Sequence, residues 1–403
     1  MPSRFAPRPT SLRGSVAPVL QAACSHLEAI NAQVLAWQCD VTRVPAPTGS
    51  EGARAAWMAE RFAAIGWRDV RVDATGNVIA RRPGAAGSRA AVWCCSHLDT
   101  VFDEPAPAVQ VQGTRYSGPG IGDNGRGLAA LLAIGTAMEA AALSPPHEVV
   151  LACTVGEEGL GDLRGMRALM REASPAPHAV IAIDGAGDDR IVHAALGSTR
   201  LRVTVQGPGG HSWADYGVAN PVHAAAAMVS ALQAILLPRD PRTTLTVARI
   251  GGGEGINSVP LAAWFDLDLR STSAEVLADV ERTLRQAVSR VERSENNRRL
   301  TDTAPLTTTV EHLGSRPSGA LSEESALVRI ARQATTAIGV TPRLSIGSTD
   351  ASIPIAMGIP AIAIGAGGRG GGTHTPAEWY DDEGGVRGLQ RAWLIVAGAA
   401  GLR

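Results

Sequence analysis

Three stretches of this chain are apolar almost without interruption, and each ends in side chains that can ligate a metal. AAVWCCSHLDT (90–100) ends in His97 and Asp99, EVVLACTVGEEG (148–159) in Glu157 and Glu158, and AVIAIDGAG (179–187) in Asp184. A strand with one solvated face alternates apolar and polar residues. Unbroken apolar runs instead mark strands covered on both faces, as in an open, mostly parallel α/β sheet flanked by helices. In such sheets ligands bind beyond the carboxyl ends of the strands, which is where this chain carries imidazoles and carboxylates.

The rest of the pattern fits that architecture. Helical spacing runs through 20–40, 52–65, 127–143 and 322–339; VRVDATGNVIAR (70–81) has the form of a hairpin turning at Ala74-Thr75-Gly76-Asn77; AIAIGAGG (361–368) is a further buried strand. Between 199 and 314 the pattern changes. Period-2 segments at 201–207, 243–250, 262–270 and 303–313 are interleaved with helical segments at 221–236 and 273–293. That is a β-α-β-β-α-β order, the ferredoxin-like split unit. The expectation is a catalytic domain formed by 20–198 and 315–403, with a lid or dimerisation domain inserted at 199–314. Residues 1–19, rich in Arg and Pro at the start, are expected to be disordered. The Gly-rich stretch GAGGRGGG (365–372) reads as a loop before His374.

Composition excludes several chemistries. All 37 basic residues are arginine, so neither a Schiff-base lysine nor a lysine-bearing phosphate loop is available. The net charge of -1 gives no reason to expect nucleic acid or an anionic membrane as partner. No apolar run reaches the length of a membrane span, and no signal peptide is expected, so the cytoplasm is the expected location. Five scattered cysteines without a C-x-x-C offer neither a disulfide framework nor a cysteine zinc site.

Five short motifs carry the chemistry. Ser96-His97-Leu98-Asp99 offers an imidazole with a carboxylate two residues on. Gly122-Asp123-Asn124-Gly125 precedes a long helix and reads either as a bridging carboxylate or as an N-cap turn. Gly156-Glu157-Glu158-Gly159 puts two acids side by side, where a cation or solvent must relieve their repulsion. Asp184 ends a buried run, and His374 follows the glycines in Gly-Thr-His-Thr-Pro-Ala-Glu (372–378). Each motif has a structural reading of its own. Taken together, oxygen and nitrogen ligands at successive strand ends suit divalent ions, zinc first, with cobalt or manganese as alternatives.

In this order, HLD, GDNG, GEEG, IDG, GGHSW and GTHT, the chain resembles the co-catalytic zinc exopeptidases: peptidase T, glutamate carboxypeptidases, succinyl-diaminopimelate desuccinylase and aminoacylases. The resemblance runs from about residue 20 to the C-terminus, and residues 196–217 are most similar to the peptidase T-like branch. It implies two divalent cations, one held by His97 and Asp184, the other by Glu158 and His374, with Asp123 bridging. It also implies Glu157 as general base, Asp99 orienting His97, and a cis peptide after Asp123. His211 would stabilise the oxyanion across a homodimer interface, and Asn257 and Arg270 would hold the substrate. For Arg270 a strand-end salt bridge is the competing reading. The implied activity is amide hydrolysis in di- or tripeptides. The alternatives are hydrolysis of N-acyl amino acids or ureido compounds, and a metal-binding relative without catalysis. The remaining histidines, His26, His147, His178, His193, His223 and His312, have no motif context, and Ser348-Thr349-Asp350 receives little functional weight.

Overall fold

The computed structural model describes residues 18–85, 91–102, 109–142, 144–300 and 302–402. Most of the segment expected to be disordered therefore lies outside the described residues; the helix Pro18–Ala29 includes its last two positions. The chain divides into two compact units. One comprises the chain up to Ala195 and from Ala320 onward, the other Leu196–Gly319, which contains the expected insertion 199–314.

The larger unit is built on a nine-stranded sheet. At its centre Glu148–Thr154, Ala91–His97, Ala179–Ile183 and Ala361–Ile364 lie side by side and parallel. The hairpin Asp69–Val72 and Val78–Arg82 adds to one side in antiparallel fashion, and Arg190–Ala195 to the other. The apolar runs are buried on both faces because alternate residues serve different cores. Val92, Cys94, Leu151 and Ile181 pack against helices that include Gly125–Ala140 and Gly385–Ala399. Trp93, Cys95, Val150 and Val180 pack on the opposite face against Arg164–Glu172 and Ser352–Ala356. Adjacent cysteines thus enter separate cores, and burial pushes both thiols well above their usual range.

Several elements differ from the sequence pattern. Helical spacing over 20–40 resolves into Pro18–Ala29 and Asn31–Arg43, interrupted at Ile30. The central strands stop earlier than the runs that contain them, at His97, Thr154 and Ile183, because the residues beyond leave the sheet. The Gly-rich stretch is not wholly a loop. Arg369–Gly371 pairs with Trp379–Asp381 in a small second sheet, and the indole of Trp379 covers Gly371 so closely that a Cβ there would lie 2.8 Å from the ring.

The inserted unit has the expected order. Four antiparallel strands are arranged Thr243–Gly252, Ala262–Ser271, Gly197–Gln206 and Thr307–Arg316. The helices Pro221–Gln233 and Ala274–Asn297 cover one face through Leu201, Val203, Phe265 and Leu267. The alternate residues of the same strands, Arg200, Arg202, Asp266 and Asp268, form ion pairs on the other face.

Candidate metal centre

Beyond the ends of the parallel strands, the side chains of five motifs converge. His97 is the last residue of its strand and is 2% exposed. Its Nδ1 lies 3.0 Å from the main-chain carbonyl of Asp99. Nδ1 is therefore the protonated nitrogen of the neutral ring, and the lone pair sits on Nε2. Nε2 is 3.0 Å from Asp123 Oδ1 and 3.9 Å from Asp184 Oδ1. On the opposite side of the same carboxylate, His374 Nε2 is 3.3 Å from Asp123 Oδ2 and 2.8 Å from Glu158 Oε1. The ligating atoms of His97, Asp123 and Asp184 lie within 4.8 Å of one another, as do those of Asp123, Glu158 and His374 and those of His97, Glu157 and Glu158. Asp123 belongs to two of these groups and offers one oxygen to each imidazole.

Local structure fixes each of these positions. The Asp123–Asn124 peptide is cis, as the resemblance leads one to expect. Asn124 caps the helix Gly125–Ala140 by accepting the amide of Gly127, as the N-cap reading of this motif expects. The same side chain donates to the carbonyl of Ile183 and accepts the amide of Gly185, which ties the Asp184 segment to the Asp123 segment. Gly156 has φ 66°, and a Cβ there would lie 2.2 Å from Arg164 Nη1, so only glycine permits the turn that leads into Glu157.

Asp99 differs from expectation. Its Oδ1 is 3.7 Å from His97 Nδ1, beyond hydrogen-bond length, and His97 is held by the main-chain carbonyl of Asp99 instead. The carboxylate accepts the amides of Glu157 and Glu158, each at 2.9 Å, and the hydroxyl of Thr48 at 2.9 Å. The side chain is thus hydrogen-bonded to the main chain of the two glutamates rather than to the imidazole.

The electrostatics are those of a cluster short of positive charge. Burial alone would lower the His97 pKa, but the hydrogen bond and charge of Asp123, with Glu157 and Asp184, raise it well above the usual range. Hydrogen bonds to Asp123 and Glu158 raise His374 to about 10. Burial and the neighbouring Asp123 raise Asp184 to about 6. For Asp123 burial acts upward, and hydrogen bonds from His374 and His97 outweigh it, holding the carboxyl far below its usual value. Divalent ions fit this set: two borderline nitrogen donors, hard carboxylate oxygens, and one carboxylate able to serve both halves.

The remaining predicted residues lie in the inserted unit. His211 is exposed, and its Nδ1 accepts the amide of Trp213 at 3.1 Å, which puts the proton of the neutral ring on Nε2. His211 pairs with Ser258, and the carbonyl of Asn257 accepts the amide of Ser212, so His211 and Asn257 occupy adjoining segments. Arg270 is engaged in the strand-end salt bridge named as the competing reading, 2.5 Å from Asp268 Oδ2. Sequence reasoning quoted Glu378 only as the end of the His374 motif and gave little weight to Asp350, while it read Asn124 as an N-cap candidate. The Asp350 carboxylate is 3% exposed and accepts the hydroxyl of Thr154, the last residue of its strand. Only the N-cap position of Asn124 gave a signal.

The match to known proteins decides the family. The model of peptidase family M20/M25/M40 matches residues 93–394. The chain belongs to this family. It is thereby a metallohydrolase of amide bonds. No curated protein matches it in sequence. Among solved structures, the fold is similar to aminopeptidase PepT from Bacillus cereus, with 21% identity, a TM-score of 0.73, and coverage of 92% of this chain and 98% of that one. A tripeptidase from Staphylococcus aureus has 21% identity and a TM-score of 0.75 over the same shares of both chains. The dipeptidase Dug1p from Saccharomyces cerevisiae has 14% identity and a TM-score of 0.75, covering 94% of this chain and 98% of that one. Among the described residues, no helix is long and apolar enough to cross a membrane.

Proposed function

We propose that this M20-family chain is a two-zinc exopeptidase that cleaves di- or tripeptides. The observation that carries the reading is the carboxylate of Asp123, whose two oxygens face different imidazoles. His97 and Asp184 would hold one cation and Glu158 and His374 the other, and Asp123 would serve both. When bound, the pair polarises the scissile carbonyl and acidifies the attacking water. Glu157 accepts the proton of that water and returns it to the leaving amine. Asp99 fixes Glu157 through its main-chain amide, so the base approaches from a set direction. His211, with Nε2–H as its free donor, stabilises the charge that develops on the carbonyl oxygen, a role commonly worth about 3–4 kcal/mol. In this reading it comes from the second subunit of a homodimer. Asn257 and Arg270 hold the backbone or carboxylate of the substrate. The five unpaired thiols suit a reducing compartment, and the cytoplasm is the proposed location.

The test is a substrate panel on chelated enzyme reloaded with zinc, cobalt or manganese. Di- and tripeptides should be hydrolysed faster than N-acetyl amino acids or ureido compounds. Preference for either of the latter classes would transfer the assignment to an amidohydrolase of the same family. The active species should sediment as a dimer; a fully active monomer would remove the proposed role of His211 in trans.

A further inference from the structure

Glu378 lies four residues after His374 and is 1% exposed. Its Oε2 accepts the amide of Gly120 at 2.7 Å, and its Oε1 accepts those of Gly122 at 2.9 Å and Asp123 at 2.8 Å. Its carbonyl accepts the amide of Gly118, and its own amide closes a turn onto the carbonyl of Thr375. One residue thus joins the segment bearing Asp123 to the segment bearing His374. Burying a carboxylate is costly unless its lone pairs are met, and here main-chain N–H groups meet them. All three belong to the four residues that end at Asp123, and one is the amide of Asp123 itself.

We propose that Glu378 is a positioning residue for the metal centre: by holding the amides of Gly120, Gly122 and Asp123, it sets the direction of the carboxylate that the two ligand groups share. The inference rests on the reading of that cluster as a two-metal site. A glutamine at this position would keep the shape but offer one acceptor oxygen and turn an N–H donor toward amides that are themselves donors. The Asp123 segment would loosen, and both ligand groups would lose their common member's geometry together. Loss of an ordinary ligand such as His374 would affect one group only.

The experiment compares wild type, Glu378→Gln and His374→Ala as full-length protein. Hydrogen exchange on the metal-free protein should show faster exchange at Gly120, Gly122 and Asp123 in Glu378→Gln, with the Glu148–Thr154 strand unchanged. Zinc competition with a chromophoric chelator should show both cations weakened by about 10–100-fold, the usual effect of removing a partner that orients a ligand. His374→Ala should keep one cation at near wild-type affinity. The visible spectrum of the cobalt-loaded variant should shift, which a change in overall stability would not produce. Unchanged exchange would overturn the proposal. So would faster exchange accompanied by wild-type zinc affinities and cobalt spectrum, since Glu378 would then be a loop staple without influence on the metals. Wild-type protein that takes up fewer than two cations would instead sink the two-metal reading, and this inference with it. Should Glu378→Gln not fold, Gly122→Ala gives a milder perturbation with the same expectations, because its Cβ would meet Glu378 Oε1 at 3.1 Å.

Discussion

In the inserted unit Asp266 is paired with Arg202 and Arg249, and Asp268 with Arg200 and Arg270. In the larger unit the ion-pair partners of Asp123, Glu158 and Asp184, among the described residues, are imidazoles. Both clusters contain partly buried carboxylates, yet they meet the cost of desolvating them in opposite ways. The arginines lower the pKa of Asp266 by hydrogen bonding and charge, so its ionised form is favoured by the fold itself. Asp184, buried beside another carboxylate, is driven up to about 6. An acid that folds together with a permanently charged guanidinium is complete. Acids that face one another and two titratable rings are stable only with added positive charge, from protons or from metal.

The largest effect that could break this contrast concerns Asp123. Asp123→Asn should lower the affinity for both cations by more than the about 10–100-fold typical of a residue that merely orients a ligand, with activity falling to background. Metal content after dialysis measures it, and retention of two tightly held cations would remove the shared-carboxylate reading. Next is Glu157→Ala, expected to keep both cations while kcat falls by about 10²–10⁴-fold. Hydrolysis at the wild-type rate would eliminate Glu157 as the base.

The smallest effect sharpens the other side of the contrast. Asp266→Asn should leave metal content unchanged and destabilise the protein by about 1–2 kcal/mol at neutral pH, read from denaturant unfolding. Because the folded-state pKa of Asp266 is depressed, its contribution is fully present above the unfolded value of about 3.9 and is lost as pH falls through the folded value. The difference between variant and wild type should therefore shrink in acid. A difference that grows as pH falls would contradict the ion-pair assignment.

Much of this molecule was legible before its structure. The parallel strands were readable because burial on both faces removes the period-2 alternation, and the inserted unit because its strands keep it. His97, Glu157, Glu158 and Asp184 were readable because the end of a buried strand is where an open sheet accepts ligands; Asp123, before a helix, and His374, in a turn, joined them only through the order of motifs that carries the resemblance. Asp99 was placed near the site, but the partner of its carboxylate was not, since a strand-end acid can turn toward a ring or toward the backbone amides of a neighbouring strand. Glu378 gave no signal. Its partners are main-chain amides more than 250 residues away in sequence, and main-chain amides carry no residue identity.

Sequence by itself determined which segments would be buried on one face or on two, which units they would form, and which ligating side chains would stand at the strand ends. Those properties follow from local periodicity and composition. Only the tertiary structure decided which oxygen of Asp123 faces which imidazole, that Asp99 holds the glutamates, that Arg270 is tied to Asp268, and that Glu378 holds the Asp123 segment. Such pairings depend on distances of about 3 Å between residues remote in the chain, and a hydrogen bond at that scale is fixed by packing rather than by pattern.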